Sequence, residues 1–289
     1  MARRKLTLTD IIILCILLAV SFTCFLPVVH VIAVSFSDKA AAAAGLVTLF
    51  PVGFTAFPYK YLLDDQQFFR SLLVSVERVL LGGGINLLLT ILMAYALSKE
   101  KKEFPGRNVY MWIIVFTMLF NGGLIPWFMV VKTVGLLDTI WALVLPGAVP
   151  VFNVILLMNF FRGIPKEIKE AAVVDGAGPW RTMIQMFVPL ALPAIATVTL
   201  FSVVGHWNAF FDGLILINKQ ENVPLQTYIQ QLVVRPADFS SMRAEDIANL
   251  SQRTFNAAKI VVTMLPILLI YPFLQRYFVQ GITLGSVKE

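Results

Sequence analysis

Long apolar stretches separated by short polar ones run through the whole chain. A helix that crosses a bilayer needs roughly 20 mostly apolar residues. Six stretches meet that requirement, at about 11–34, 71–97, 109–131, 141–161, 188–217 and 257–278. The first follows Arg3, Arg4 and Lys5, as the apolar core of a signal peptide would. Its apolar run is too long for such a core, and five more follow, so it reads as a retained span. The pattern predicts an all-α, polytopic membrane protein with six transmembrane helices in a single membrane domain at 11–280, flanked by short ends at 1–10 and 281–289. One segment breaks the pattern. Between the fourth and fifth stretches, residues 165–190 read PKEIKEAAVVDGAGPWRTMIQMFVPL, which is charged and helix-forming.

Composition agrees with a membrane protein. The chain is 58% hydrophobic, with a mean hydropathy of +0.80. Only 14% of its residues are charged, against about 25% in soluble proteins. The net charge of +6 does not gather on one polar face, which argues against nucleic acid as a partner. It fits the excess of Lys and Arg on the cytoplasmic side of membrane proteins. The short loop at 98–108 carries Lys99, Lys101, Lys102 and Arg107, and the next loop on the same side carries Arg162, Lys166, Lys169 and Arg181. Both ends of the chain and the segment 165–187 are therefore expected in the cytoplasm, with loops 35–70 and 218–256 outside. Cys15 and Cys24 lie in the first apolar stretch, where packing is a better expectation than a disulfide. No His/Cys spacing suggests a metal. The two histidines belong to no catalytic motif, so no enzyme is expected.

The segment 165–190 has a readable local structure. Pro165 suits the first turn of a helix, and Glu167 and Glu170 suit its positive N-terminal end. Ala171 and Ala172 keep one face small. Asp175-Gly176-Ala177-Gly178-Pro179 then ends the helix with a Gly turn and a following Pro. A second short helix, 180–187, leads to Pro189 and the fifth span. Physical chemistry alone leaves two readings open, a solvated connector or a surface on which a partner docks.

The spacing Glu170-Ala171-Ala172, three residues, Gly176, nine residues, then Met186, Val188 and Pro189 resembles the EAA loop of ABC importer permeases. That family ends the loop in Ile-x-Leu-Pro, so Met186 and Val188 are conservative departures. The stretches FNGGLIP (120–126), LLDTIWALVLP (136–146), VGHWNAFFD (204–212) and YFVQGITLGSVKE (277–289) resemble the carbohydrate-type branch, related to the second permease of the maltose importer. Within it they are most similar to the polysaccharide- or lipoprotein-type subgroup that serves oligosaccharides. The resemblance covers nearly all of the chain from about residue 11.

The resemblance implies the type I ABC importer permease fold in the bacterial cytoplasmic (inner) membrane, with a cytoplasmic coupling helix. It implies a second permease, usually a different chain, with which this one forms the translocation path. It also implies an ATPase dimer that holds ATP and Mg, and an extracytoplasmic solute-binding protein that delivers an oligosaccharide. This chain has no G-x-x-x-x-G-K-[ST] motif, and Gly82-Gly83-Gly84 reads as close helix packing, so no cofactor is expected in it. Carried over by position, Glu170, Ala171, Ala172, Asp175, Gly176 and Pro189 belong to the ATPase-coupling element. Gly281, Gly285 and Lys288 belong to a tail that either contacts the ATPases or frays. The loop 218–256 is expected to meet the binding protein.

Polar residues inside spans are costly in lipid and mark candidate paths. The fifth span carries His206, Asn208 and Asp212 beside Trp207 and Phe211, and the fourth carries Asn153. On one continuous helix Asn208 and Asp212 share a face. Aromatic rings and hydrogen-bonding side chains together suit a sugar path. The alternative is bonding between helices, which for His206 is the stronger expectation. Asn153 and Asn159 in the fourth span, and Asn86 in the second, are weaker candidates. Glu77 and Arg78 point to different faces, so each snorkels or pairs with another helix, in this chain or in the partner permease. An ABC importer for a non-sugar solute fits the EAA loop equally well. An ion-coupled secondary transporter often has two related halves and broken helices, and neither is evident in the sequence.

Overall fold

The computed structural model describes residues 7–234 and 251–286. They form helices and the turns between them. The chain divides into two compact units, Met1–Gln66 with Gln231–Leu265, and Gln67–Gln230 with Pro266–Glu289.

The first unit holds the helix Leu8–Ser35. Thr7 and Asp10 close a capping box at its start, which satisfies two of the amide groups every helix N-terminus leaves open. Its most apolar window has a mean hydropathy of 2.8 and none of it is buried within the chain. Such a helix faces lipid or another subunit. Cys15 and Cys24 are free and exposed on it, so they do not pack inside the chain as expected. Packing begins only at its end, where Ala33 and Val34 meet Ala41, Ala42, Val47 and Ala257. Ser35 Oγ lies 2.6 Å from the Tyr59 hydroxyl, and Phe36 stacks on the same ring. The loop 35–70 contains the short helices Lys39–Ala43 and Phe57–Leu63.

The second unit is built on the helix Gln66–Ser98, the second helix long and apolar enough to span a bilayer. One face of it is buried and polar or small: Ser71, Ser75, Arg78, Gly82, Asn86 and Thr90. Those positions are three or four residues apart, which puts them on a single stripe. Leu73, Val76, Leu80 and Leu88 on the other side are exposed, while Leu87 packs against the core.

Three of the expected spans are bent rather than straight. Arg107–Leu119 and Leu124–Thr133 meet at 115°. The break is Asn121-Gly122-Gly123, where Gly123 adopts φ +91°, a conformation open chiefly to glycine. Ile140–Gly147 and Val151–Arg162 meet at 46°, across Pro146 and Pro150. Pro179–Leu190 and Leu192–Asn208 meet at 84°. Pro189 and Pro193 each remove a backbone donor there, and residues Met183–Phe187 widen into a π-helix. Counting each bent pair once gives up to five spans among the described residues. The sixth expected span falls within the helix Gln252–Ser286. Broken helices, absent from the sequence reading, are thus a feature of this fold. Within a bilayer such irregular backbone is tolerated where protein buries it or a cavity receives it.

Hydrogen bonds divide the second unit's turns into two ends. At one end Asp138 accepts from the amides of Asn218 and Lys219, and Asn222 Nδ2 donates to the Asp138 carbonyl. Gln67 and Arg70, at the start of the long helix, donate to the carbonyls of Gln220 and Glu221. At the opposite end, Lys166 pairs with Glu100 and Lys169 with Glu103. The turns alternate between these two ends along the chain, as the turns of a multi-pass protein must.

Candidate functional site

Two places in the second unit concentrate chemistry. The first is the segment between the fourth and fifth spans. Its helix runs Lys166–Val174, with Pro165 at the N-cap position rather than in the first turn. Gly176 takes φ +72°. Its amide donates to the Val173 carbonyl at 3.0 Å, and the Ala177 amide donates to Ala172 at 2.8 Å. This is the Schellman closure, which satisfies carbonyls a helix end would otherwise leave open. Pro179 starts the next helix at its first turn, so direction changes within four residues. Ala172 is fully buried, while Glu170, Ala171, Asp175 and Gly176 are exposed, as is Pro189 beyond the turn. The small Ala pair is therefore split, with Ala172 seating the helix and Ala171 on the outer face.

Beside the two ion pairs, Lys99 closes the base of this segment. Its ammonium lies 3.7 Å from the Tyr95 ring centroid and 5.1 Å from that of Phe187. Tyr95 Oη donates to the Pro179 carbonyl at 3.0 Å. Burial, and next the Lys169 charge, push Lys99 down to about 8. Exposed apolar side chains then decorate a loop that is otherwise polar: Val173, Val174 at 87% and Trp180 at 67% exposure. The sequence reading weighed only the charged and small residues here.

The second place is a cavity of about 470 Å³, lined by Arg78, Asn86, Asn153, Ser202, His206 and Asp212 among polar residues. Trp127, Leu143, Pro146, Gly147, Pro150, Phe201 and Gly205 complete it. The prolines and Gly147 come from the break in the fourth span, so the bend itself makes the room. Asn153 Nδ2 donates to the Val198 carbonyl at 3.2 Å and to Ser202 Oγ at 3.1 Å. His206 Nε2 lies 3.2 Å from the Asn86 side chain. With the Asn86 oxygen accepting from His206, its nitrogen reaches the carbonyls of Gly147 and Ala148, each at 3.2 Å. His206 is thus a contact between helices, as expected, and also faces the cavity. Gly82 permits it: a Cβ there would lie 2.5 Å from the imidazole ring.

Arg78 finds its partner within this chain. Its two terminal nitrogens meet both carboxylate oxygens of Asp212, with Nη1 at 3.1 Å from Oδ1. Nη1 also donates to the Ala209 carbonyl at 3.2 Å. The helix ends at Asn208, and a separate helix starts at Phe211. Asn208 and Asp212 therefore do not share a helix face, which corrects the expectation of a common arc. Of the six path candidates, His206, Asp212 and Asn153 line the cavity. Trp207 is buried outside it, and Asn208 and Phe211 are exposed elsewhere. Arg78 was noted in the sequence but given no path role. Its place on the stripe with Ser75, Gly82 and Asn86 was the available signal. Gly281 and Gly285 fall in the helix Gln252–Ser286, while Lys288 and the loop residues 235–250 lie outside the described residues.

Known proteins resemble the chain over nearly its whole length. The family model described as "Binding-protein-dependent transport system inner membrane component" matches residues 86–284. The polygalacturonan/rhamnogalacturonan transport system permease protein YtcP of Bacillus subtilis (strain 168) is 39% identical over 98% of this chain and 99% of its own. Protein LplC of the same organism is 40% identical over 91% of this chain and 89% of its own. A solved structure of a bacterial ABC transporter involved in the import of the acidic polysaccharide alginate superposes with a TM-score of 0.86. It is 32% identical and covers 96% of this chain and 99% of that one. The broken apolar helices, the two alternating ends and these matches lead to one assignment: this multi-pass membrane protein belongs to the family of binding-protein-dependent transport system inner membrane components, the permease subunits of ABC importers.

Proposed function

We propose that the chain serves an importer of oligosaccharides, forming half of its translocation path with a second permease and docking an ATPase through the segment 165–190. The observation that carries the substrate class is the cavity, where amide, hydroxyl and imidazole groups face one another beside Trp127 and Phe201. A sugar offers hydroxyls to the first set and apolar ring faces to the second. The relatives' names support the same class, since one is named for the transport of polygalacturonan and rhamnogalacturonan and the solved structure for the import of alginate.

In this reading the exposed face around Glu170, Ala171, Asp175 and Gly176 is the coupling surface. The docking partner is an ATPase pair that holds ATP and Mg, and Val174 and Trp180 add apolar area to the contact. The Schellman turn and the two ion pairs make the element stiff enough to pass on a displacement. Both termini are cytoplasmic, and the end of the second unit that carries Asp138 and Asn218 faces the binding protein. ATP binding draws the coupling helices together and turns the path outward, and hydrolysis resets it. The test is reconstitution in vesicles with the binding protein. Oligosaccharide uptake is expected to require the ATPase subunits and ATP. Uptake by the permeases alone, driven by an ion gradient, would sink the proposal.

A further inference from the structure

An arginine buried inside a membrane helix is expensive unless its charge is met. Arg78 is 3% exposed and lies in the first half of the helix Gln66–Ser98. Its planar fork meets both oxygens of Asp212, the arrangement that best matches a guanidinium to a carboxylate. The two partners are held differently. Arg78 belongs to a long continuous helix and to its buried stripe. Asp212 is 21% exposed and sits beyond the break at Ala209-Phe210, in the six-residue helix Phe211–Leu216. Arg78 Nε is buried with no hydrogen-bond partner, so the guanidinium keeps an unused donor. Both residues line the cavity, and its remaining polar lining is neutral: Asn86, Asn153, Ser202 and His206. Its volume of about 470 Å³ lies within the roughly 300–1,000 Å³ usual for small-molecule sites.

We propose that Arg78 reads carboxylate groups on the transported sugar, and that Asp212 occupies the guanidinium as a resident stand-in until such a group replaces it. The cavity then selects oligosaccharides built from uronic acids. A uronate carboxylate has the same planar pair of oxygens as Asp212, so it can take over the fork without leaving the arginine charge unmet. A neutral sugar has nothing equivalent to offer, and the Arg78–Asp212 pair stays closed against it. In this exchange Asp212 is the side that moves, because it sits in the short helix beyond the break while Arg78 belongs to the long one. The inference rests on the reading of the chain as an oligosaccharide permease.

The experiment compares uptake of oligogalacturonate with uptake of the same oligomer after its carboxyl groups are reduced to hydroxymethyl. The full complex in vesicles is used, with the same binding protein throughout, so any change in the acidic-to-neutral ratio arises in the permease. Wild type is expected to favour the acidic oligomer. Arg78→Gln is expected to lower the ratio by about tenfold or more, the scale of a lost charge-assisted hydrogen bond. Asp212→Asn is expected to move it the other way. Either single change leaves one partner without its charge, so Arg78→Gln/Asp212→Asn is the safeguard if a single variant fails to assemble. The double variant is expected to lose the preference as Arg78→Gln does. An unchanged ratio in the double variant, or single variants that shift it in the same direction, would overturn the proposal and leave the pair as a clamp on the helix break. Wild-type complex that imports neither oligomer would instead overturn the oligosaccharide reading beneath it.

Discussion

Gly82 and His206 show how closely two helices of the second unit approach. A Cβ added at Gly82 would lie 2.5 Å from the imidazole, and a ring held by Asn86 cannot give way as a flexible chain end would. Gly82→Ala is therefore expected to cost about 1–3 kcal/mol, the usual scale of overpacking, read as a lowered unfolding temperature in detergent. Gly84, with nothing within 4 Å of a Cβ, is the control and should accept Ala with little change. The sequence pointed to close packing at the three glycines but not to which one carries it, because the facing residue lies over 120 positions away. Lys99 makes a second prediction. Its folded value of about 8 lies below the ordinary 10.5, so between those values the unfolded chain binds more protons and stability rises with pH. Wild type is expected to gain about 1–3 °C between pH 7.5 and 10 relative to Lys99→Met, a range reduced for a side chain only half-buried. A flat difference across that interval would refute the assignment.

At the scale of elements, the boundaries of the first two long helices were readable because each continues unbroken through the Pro27 of the first and the Glu77, Arg78 and glycines of the second. The third, fourth and fifth were drawn too straight. Hydropathy counts apolar residues without regard to direction, so it carried each span through Asn121-Gly122-Gly123, Pro146–Pro150 and Pro189–Pro193. Those Gly and Pro residues were the visible signal, and at Pro146–Pro150 the bend also lines the cavity. The segment 165–190 was legible in more detail, since the Gly turn, the Pro restart and the charged first turn all depend on local chemistry. It also yields a sharp prediction. Pro at position 176 cannot adopt φ +72° and has no amide to give to Val173, whereas Ala retains the amide at a strain cost of about 1–2 kcal/mol. Gly176→Pro should leave the permease inserted and folded, yet separate ATP hydrolysis from uptake. Gly176→Ala should weaken the coupling only partly. Normal uptake per ATP in the proline variant would remove this turn from the coupling path.

For the whole molecule, hydrogen bonds and ion pairs sort the second unit's turns into two ends without recourse to the count of Lys and Arg. Residues 134–139 and 217–223 are tied together through Asp138, and the start of the long helix is tied to Gln220 and Glu221. Residues 98–107 and 163–174 are tied together at the other end through Glu100 and Glu103. Following the chain from Gln67, each span leads from one set to the other: 67–98, 107–133, 140–162 and 192–216. Two unrelated observations, hydrogen bonding and charge distribution, thus divide the turns in the same way. The proposed orientation puts the basic set, which includes Lys99, Lys101, Lys102 and Arg107, in the cytoplasm, the side the positive-inside rule favours. Because Cys15 and Cys24 are the only native thiols, replacing both with Ser leaves a clean background for single cysteines. A membrane-impermeant maleimide added to intact cells is expected to label Gln220→Cys but not Lys102→Cys or Val174→Cys. Inverted vesicles should reverse that pattern. If Val174→Cys reacts from outside, the coupling surface faces away from any cytoplasmic ATPase, and the proposed mechanism fails together with the orientation.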